Sequence, residues 1–258
     1  VIRNQRGAII ESNGGVPVNI QDQTTPVIII PLVLKVASTT LSIPATAETY
    51  TINVVSSAGF VVGQYLRILD SINNRFYSGK VLAIAVNTIT LDSQLDFSFP
   101  AGVQVSVGND NMNVDGSGTP AIYQLRIDDP ALNLTVDITR IIFNCETNSA
   151  VDLNKFGNLP ALTRGLAFRR TDGTINNIFN VKTNGEIKGI CYDYDPTVAS
   201  NPAQAVDGFH ARLTFAGQNK IGVALRIAPN ENLEMLVQDN LTGLIHLGVV
   251  VEGHIVFE

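Results

Sequence analysis

The chain has 258 residues, enough for one large β domain or two smaller ones with a sizeable core. Hydrophobic residues make up 45%, charged residues 16%, and the net charge is -6, which argues against a general nucleic-acid binder because phosphate neutralisation needs basic patches. No apolar run approaches the ~18 residues of a membrane span, so surplus apolar surface is expected to be covered by other subunits.

The N-terminus shows no basic-then-apolar signal pattern, although its first residue, Val1, is not Met. From Val1 to Asp22, short apolar pairs alternate with Asn, Gln, Gly and Pro, without the periodicity of a segment that builds its own core. This stretch is expected to be an extended arm that buries Ile9, Ile10, Val16, Val18 and Ile20 on a neighbour; the alternative is a disordered tail. Thr25 to Val36 is the first strong β segment, confined by Pro26 and Pro31 to a sheet edge or a bulge. Residues 1–37 are therefore read as arm plus first strand.

Residues 38–108 read as a compact unit. Alternation runs through Thr40–Ile43 and Tyr50–Val54. Gly59 and Gly63 bracket a turn in which Phe60 can plug the interior, and Tyr65–Ile68 starts the next strand. Asn73-Asn74 supplies a hairpin tip, Phe76 to Val86 a strand, and Asn87-Thr88 a tight turn before Ile89–Leu91. So many short strands predict a small β-barrel, since closure removes sheet edges.

Gly108 to Thr119, rich in Gly, Asn and Asp, is the expected linker or crossing point. Beyond it, Leu134, Val136 and Ile138 alternate with Thr135 and Asp137, and Leu153 to Leu162 is irregular with room for a short helix. Asp172-Gly173 and Asn184-Gly185 are hairpin signals. Tyr192 to Asp207 reads as a long acidic loop. In the final strand Leu247, Val249, Val251, Ile255 and Phe257 fall on one face, with His246, Glu252, His254 and Glu258 on the other. The expected fold is all-β: residues 109–258 form a β-sandwich or jelly roll, with the barrel inserted in it or preceding it.

No catalytic constellation stands out, and no enzyme activity or cofactor is expected. His246 and His254 share a strand face but stand ~27 Å apart at about 3.4 Å per residue, too far to share one metal. Serine lacks a Gly-x-Ser-x-Gly elbow, and Gly116-Ser117-Gly118 does not open a helix as a phosphate cradle does. Cys145 and Cys191 either pair or stay as thiols, and so few cysteines exclude a disulfide scaffold. Tyr192, Asp193, Tyr194, Asp195 and Asp207 form an acidic aromatic cluster. It offers oxygen ligands for calcium without EF-hand spacing, or aromatic rings for a sugar, or a solvated surface loop.

Three stretches carry a family resemblance. The first is Leu41 to Val107, with Ser57–Ile68, Arg75–Val81, Asn87–Asp92 and Phe99–Gly102 in that order; the second is Asn111–Ser117; the third is Leu225–Leu233 followed by Val237–Leu244. Together they resemble the virion structural proteins of tailed bacteriophages, in particular β modules of tail, baseplate and neck components. The resemblance implies a non-catalytic subunit of the virion, assembled in the host cytoplasm, that forms a ring or collar with copies of itself and other virion proteins. The second expectation is a carbohydrate- or receptor-binding β-sandwich of the virion, with a host-surface glycan on Tyr192 to Asp207.

Overall fold

The computed structural model describes residues 27–127, 134–147, 159–171, 175–180, 190–195, 207–214 and 225–256. Among these residues there are sixteen strands in three antiparallel sheets and no helix, so the all-β expectation holds. The five arm residues Ile9, Ile10, Val16, Val18 and Ile20 lie outside the described residues; of Leu153 to Leu162, where there was room for a short helix, residues 153–158 also lie outside them and residues 159–162 are not helical.

The first sheet runs in the order β1 (Val27–Pro31), β16 (His246–Val256), β9 (Thr135–Thr147), β13 (Asp207–Thr214) and β12 (Ile190–Asp195), with β14 (Leu225–Ile227) also on β9. The second runs β11 (Ile175–Asn180), β10 (Leu166–Thr171), β15 (Asn232–Val237), β8 (Ala121–Gln124). Their pairings are nested along the chain: β1 with β16, β8 with β15, β9 with β13, β10 with β11. One core joins the two sheets. Phe143 and Cys145 of β9 and Leu247, Val249 and Val251 of β16 share it with Leu166, Phe168, Leu233, Met235 and Val237. Phe143 meets Phe168 edge to face, with ring centroids 5.5 Å apart at 81°.

The period of two expected for the last strand is present, with Leu247, Val249 and Val251 buried and Glu252 and His254 half-buried on the other face. On β9 the pattern changes phase. Val136 and Ile138 point into the core, but so do Ile141, Phe143 and Cys145. The ladder skips Thr139, pairing Glu252 with Arg140 and Gly253 with Ile138, so one extra residue bulges out and moves the inward set from even to odd positions. At the same point the neighbour of β9 changes from β13 to β14.

The third sheet lies between β1 and β8 in the chain, so the smaller module is an insertion. Its order is β2 (Leu34–Thr40), β7 (Gln104–Asn109), β4 (Tyr65–Asp70), β5 (Arg75–Ala85), β6 (Thr88–Leu91) and β3 (Thr51–Asn53). It wraps around a core that includes Leu41, Ile52, Phe60, Leu66, Ile68, Ile89 and Phe99. Gly59 and Gly63 take φ values of 83° and 90°, the conformation the expected turn requires of glycine. A continuous closed barrel is not formed. The outer strands β2 and β3 are joined only by a bridge just beyond them, Leu41 to Val54.

One further expectation changes. The segment from Thr25 to Val36 is not one β element: β1 ends at Pro31, Leu32 stays in the sandwich core with its N–H on Val249 O at 2.8 Å, and Val33 bridges to Gln124 before β2 begins at Leu34. After Gly108 the chain crosses from β7 back to the sandwich and is held there by backbone hydrogen bonds. Met112 is fully buried and its N–H donates to Leu247 O at 2.6 Å, while Leu241 N–H reaches Val114 O at 2.8 Å.

Candidate assembly surface

β4 is covered on both sides, which is unusual for a strand of a small module. Leu66 and Ile68 enter the module core, while Arg67 and Leu69 point toward the sandwich. Arg67 is only 2% exposed. Its guanidinium donates to Gln124 O at 3.2 Å and to the carbonyls of Leu125 and Pro31. A buried cation is tolerated only where its donors meet acceptors, and a planar fork with five N–H groups can reach several carbonyls at once. Beside it, Leu69 packs with Phe76 and Leu134, and Val33 exchanges two backbone hydrogen bonds with Gln124 at 3.1 and 2.9 Å. The inserted module is thus fixed to the sandwich through a buried seam.

A second buried guanidinium fastens the sandwich near that seam. Arg126 donates to Glu231 O at 2.9 Å and to Leu134 O at 2.6 Å, and Asn232 closes two hydrogen bonds on its backbone. Burial lowers its pKa to about 10, against the opposing pull of Glu231, so it remains a cation at neutral pH.

The module also carries an exposed apolar end. Val55, Val61, Val62, Leu82 and Val86 all stand in solvent there, Val86 being 86% exposed. Their backbones are tied together: Val54 N–H donates to Asn87 O at 2.9 Å, Ser57 Oγ to Val86 O at 2.6 Å, and Gly63 N–H to Val81 O at 2.8 Å. The loop from 55 to 63 therefore runs along the flank of β5 beyond Val81, where the β5–β6 ladder has a bulge. Val86 adopts φ 56°, a conformation that strains a β-branched residue. The segments 51–64 and 81–91 contain no Asp, Glu, Lys, Arg or His.

The outer faces of the sandwich are different in character. Arg226 donates to both carboxylate oxygens of Asp137, at 2.8 and 2.9 Å, with His254 Nε2 3.8 Å from the same group. The Arg226 hydrogen bonds hold the Asp137 carboxyl below the usual carboxylate range. Arg140 pairs with Glu252 at 2.9 Å; Arg169, Glu234 and Gln124 form a row across three strands with contacts of 2.6 Å. These groups satisfy one another across the strands. No group of three or more metal-ligating side chains occurs among the described residues.

A cleft of about 340 Å³ lies between the β4–β5 hairpin and residues 100–104. Its one carboxylate, Asp70, accepts the N–H and the side-chain amide of Asn73 at 3.0 and 2.8 Å, so it is engaged in shaping the turn.

The predicted acidic aromatic cluster is placed differently from expectation. Tyr192, Asp193, Tyr194 and Asp195 belong to β12, and Asp207 opens β13; Asp195 pairs with Gly208 and Tyr192 with Ala211. All five are strand residues, the first four on β12, which is the last strand of the sheet among the described residues, and Asp207 on its neighbour β13; of the expected loop only residues 196–206 lie outside the described residues. Cys145 is buried on β9 and Cys191 lies on β12, with β13 between them. Two strand spacings and a three-residue offset along the strands place their backbones about 14 Å apart, beyond disulfide reach.

Sequence reasoning missed Arg67 and the exposed end. A signal for the end was present in the two long uncharged segments. No protein-family model, characterised protein or solved structure matches this chain.

Proposed function

We propose that this chain is a structural subunit of a tailed-phage virion, assembling as a homo-oligomer in the tail, baseplate or neck and performing no catalysis. The observation that carries this reading is the pairing of a module fixed by a buried arginine with an exposed aliphatic end on that same module. A subunit that transmits load between neighbours needs both: a stiff joint inside the chain and apolar surface to bury outside it. The nested strand pairing is what a jelly roll requires, and we read the inserted sheet as a barrel left open at one seam.

In this reading the arm, now limited to the residues before β1 because Val27–Pro31 pairs with β16 of its own chain, contacts neighbouring copies, and the inserted module docks a further copy or another virion protein. Light scattering on the full chain and on a chain starting at Thr25 tests it. An oligomer that dissociates without the arm supports the reading and locates its clasp. A monomer in both contradicts it.

A further inference from the structure

We infer that Asp110, His246 and Glu146 form a site for one divalent metal ion of the zinc type, where the chain returning from the inserted module meets the sandwich. This site is independent of the assembly reading above.

Strand register brings the residues to one face. Phe143, Cys145, Leu247 and Val249 enter the core, so Asn144, Glu146 and His246 fall on the outer face of the first sheet. His246 pairs with Glu146 and Gly248 with Asn144, and residues directly opposite have Cα atoms about 4.5–5.5 Å apart. Gly248 leaves a space on this face. A Cβ there would stand 3.0 Å from His246 Nε2 and 3.8 Å from the main-chain oxygen of Asp110, so the imidazole and the Asp110 backbone converge on the glycine. Met112 N–H on Leu247 O, with Leu247 N–H on Asn111 Oδ1 at 3.3 Å, holds residues 110–112 along β16. Asp110 thus lies on the opposite side of β16 from Glu146, with His246 between them.

Charge and pairing favour a cation. Among the described residues no hydrogen bond or ion pair reaches the His246 ring or the Asp110 carboxylate, and both residues are half-buried. By contrast Asp137, Glu234 and Glu252 are each engaged by an arginine. The two register rows at this end of the sheet are Asp193–His210–Asn144–Gly248 and Asp195–Gly208–Glu146–His246. They hold three carboxylates and two imidazoles but no lysine or arginine, so a metal ion has no side-chain cation to displace at these positions. One imidazole with two carboxylates is a donor set for zinc, with ligand distances of about 2.0–2.2 Å, and three protein ligands leave a position for water. Calcium, which takes about six to eight oxygens, is served poorly by an imidazole.

Isothermal titration calorimetry of the metal-stripped full chain with Zn²⁺ tests the site. One ion per chain is expected, and saturation should raise the melting temperature, because an ion that binds only the folded state stabilises it. His246→Ala and Glu146→Gln are each expected to weaken zinc binding by roughly tenfold or more, with the metal-free melting temperature close to the parent's. Asp110→Asn is expected to weaken it in the same direction. His254→Ala, whose ring lies beside Asp137 at the other end of the strand, is expected to bind zinc as the parent does. A parent chain that takes up no zinc overturns the site. Zinc binding that is unchanged in both His246→Ala and Glu146→Gln overturns it too, since the ion is then held elsewhere. Calcium bound as tightly as zinc overturns the chemistry assigned to the ligands.

Discussion

The guanidinium of Arg67 donates to the main-chain carbonyl of Pro31, a residue 36 positions earlier and at the point where the chain leaves the sandwich for the inserted module. The same group reaches Gln124 O, where the chain has just returned. One side chain thus holds both crossings of the module, and its removal has a specific consequence. Arg67→Met keeps much of the apolar stem but leaves buried carbonyls without donors, at a cost of about 3 kcal/mol. Arg67→Lys restores only part of this, because an ammonium lacks the fork that spans several acceptors. Urea unfolding checks it: the midpoint is expected to fall in the order parent, Lys, Met, with a separate module transition emerging in Met.

Asp137 sets a pH dependence. Its folded pKa is depressed by Arg226, so the unfolded chain binds the proton more readily. The stabilisation from this pair is therefore fully present above about pH 4, the unfolded value, and is lost as pH falls through the lower folded value. The Arg226 side chain is 55% exposed, which limits the contribution to about 1 kcal/mol or less. Asp137→Asn is expected to unfold more easily than the parent at pH 6, and the gap should narrow toward pH 2. A gap that is constant with pH contradicts this account.

Gly253 sits opposite the bulge of β9. A Cβ there would stand 2.2 Å from the carbonyl oxygen of Asp137, and backbone cannot yield as a side chain does. Gly253→Ala is expected to cost about 2–3 kcal/mol, a fall in melting temperature of roughly 5–10 °C. Thermal unfolding followed by circular dichroism measures it.

Phe143 and Phe168 join the two sheets through one edge-to-face contact. Either change to Ala is expected to destabilise by about 3–5 kcal/mol. In a double-mutant cycle the pair should show a coupling of about 0.5–1.5 kcal/mol. Additive losses would mean that the rings act through burial alone.

Local pattern made much of this legible in the sequence, and long-range contact hid the rest. The alternation of Leu247, Val249 and Val251, the glycines flanking Phe60 and the hairpin at Asn73-Asn74 are short-range features, readable because strand pleat and turn chemistry act within a few residues. The bulge at Thr139 is not readable: an extra residue changes which side chains face inward without altering composition. Arg67, flanked by Leu66 and Ile68, resembles the solvent position of an alternating strand. Its burial depends on Pro31 and Gln124, which no local pattern connects to it. The Tyr192–Asp195 stretch was misread because its acidic residues and the following Pro196 outweighed tyrosine's preference for strands. The turn expected at Asn87-Thr88 forms one residue earlier, at Val86-Asn87, because valine there accepts a conformation that turn propensity disfavours.

The central claim is self-assembly, and native mass spectrometry of the full chain addresses it most directly. The account predicts a discrete species at a whole-number multiple of the 27.7 kDa chain mass, persisting at micromolar concentration. A single species at 27.7 kDa across the concentration range would contradict it.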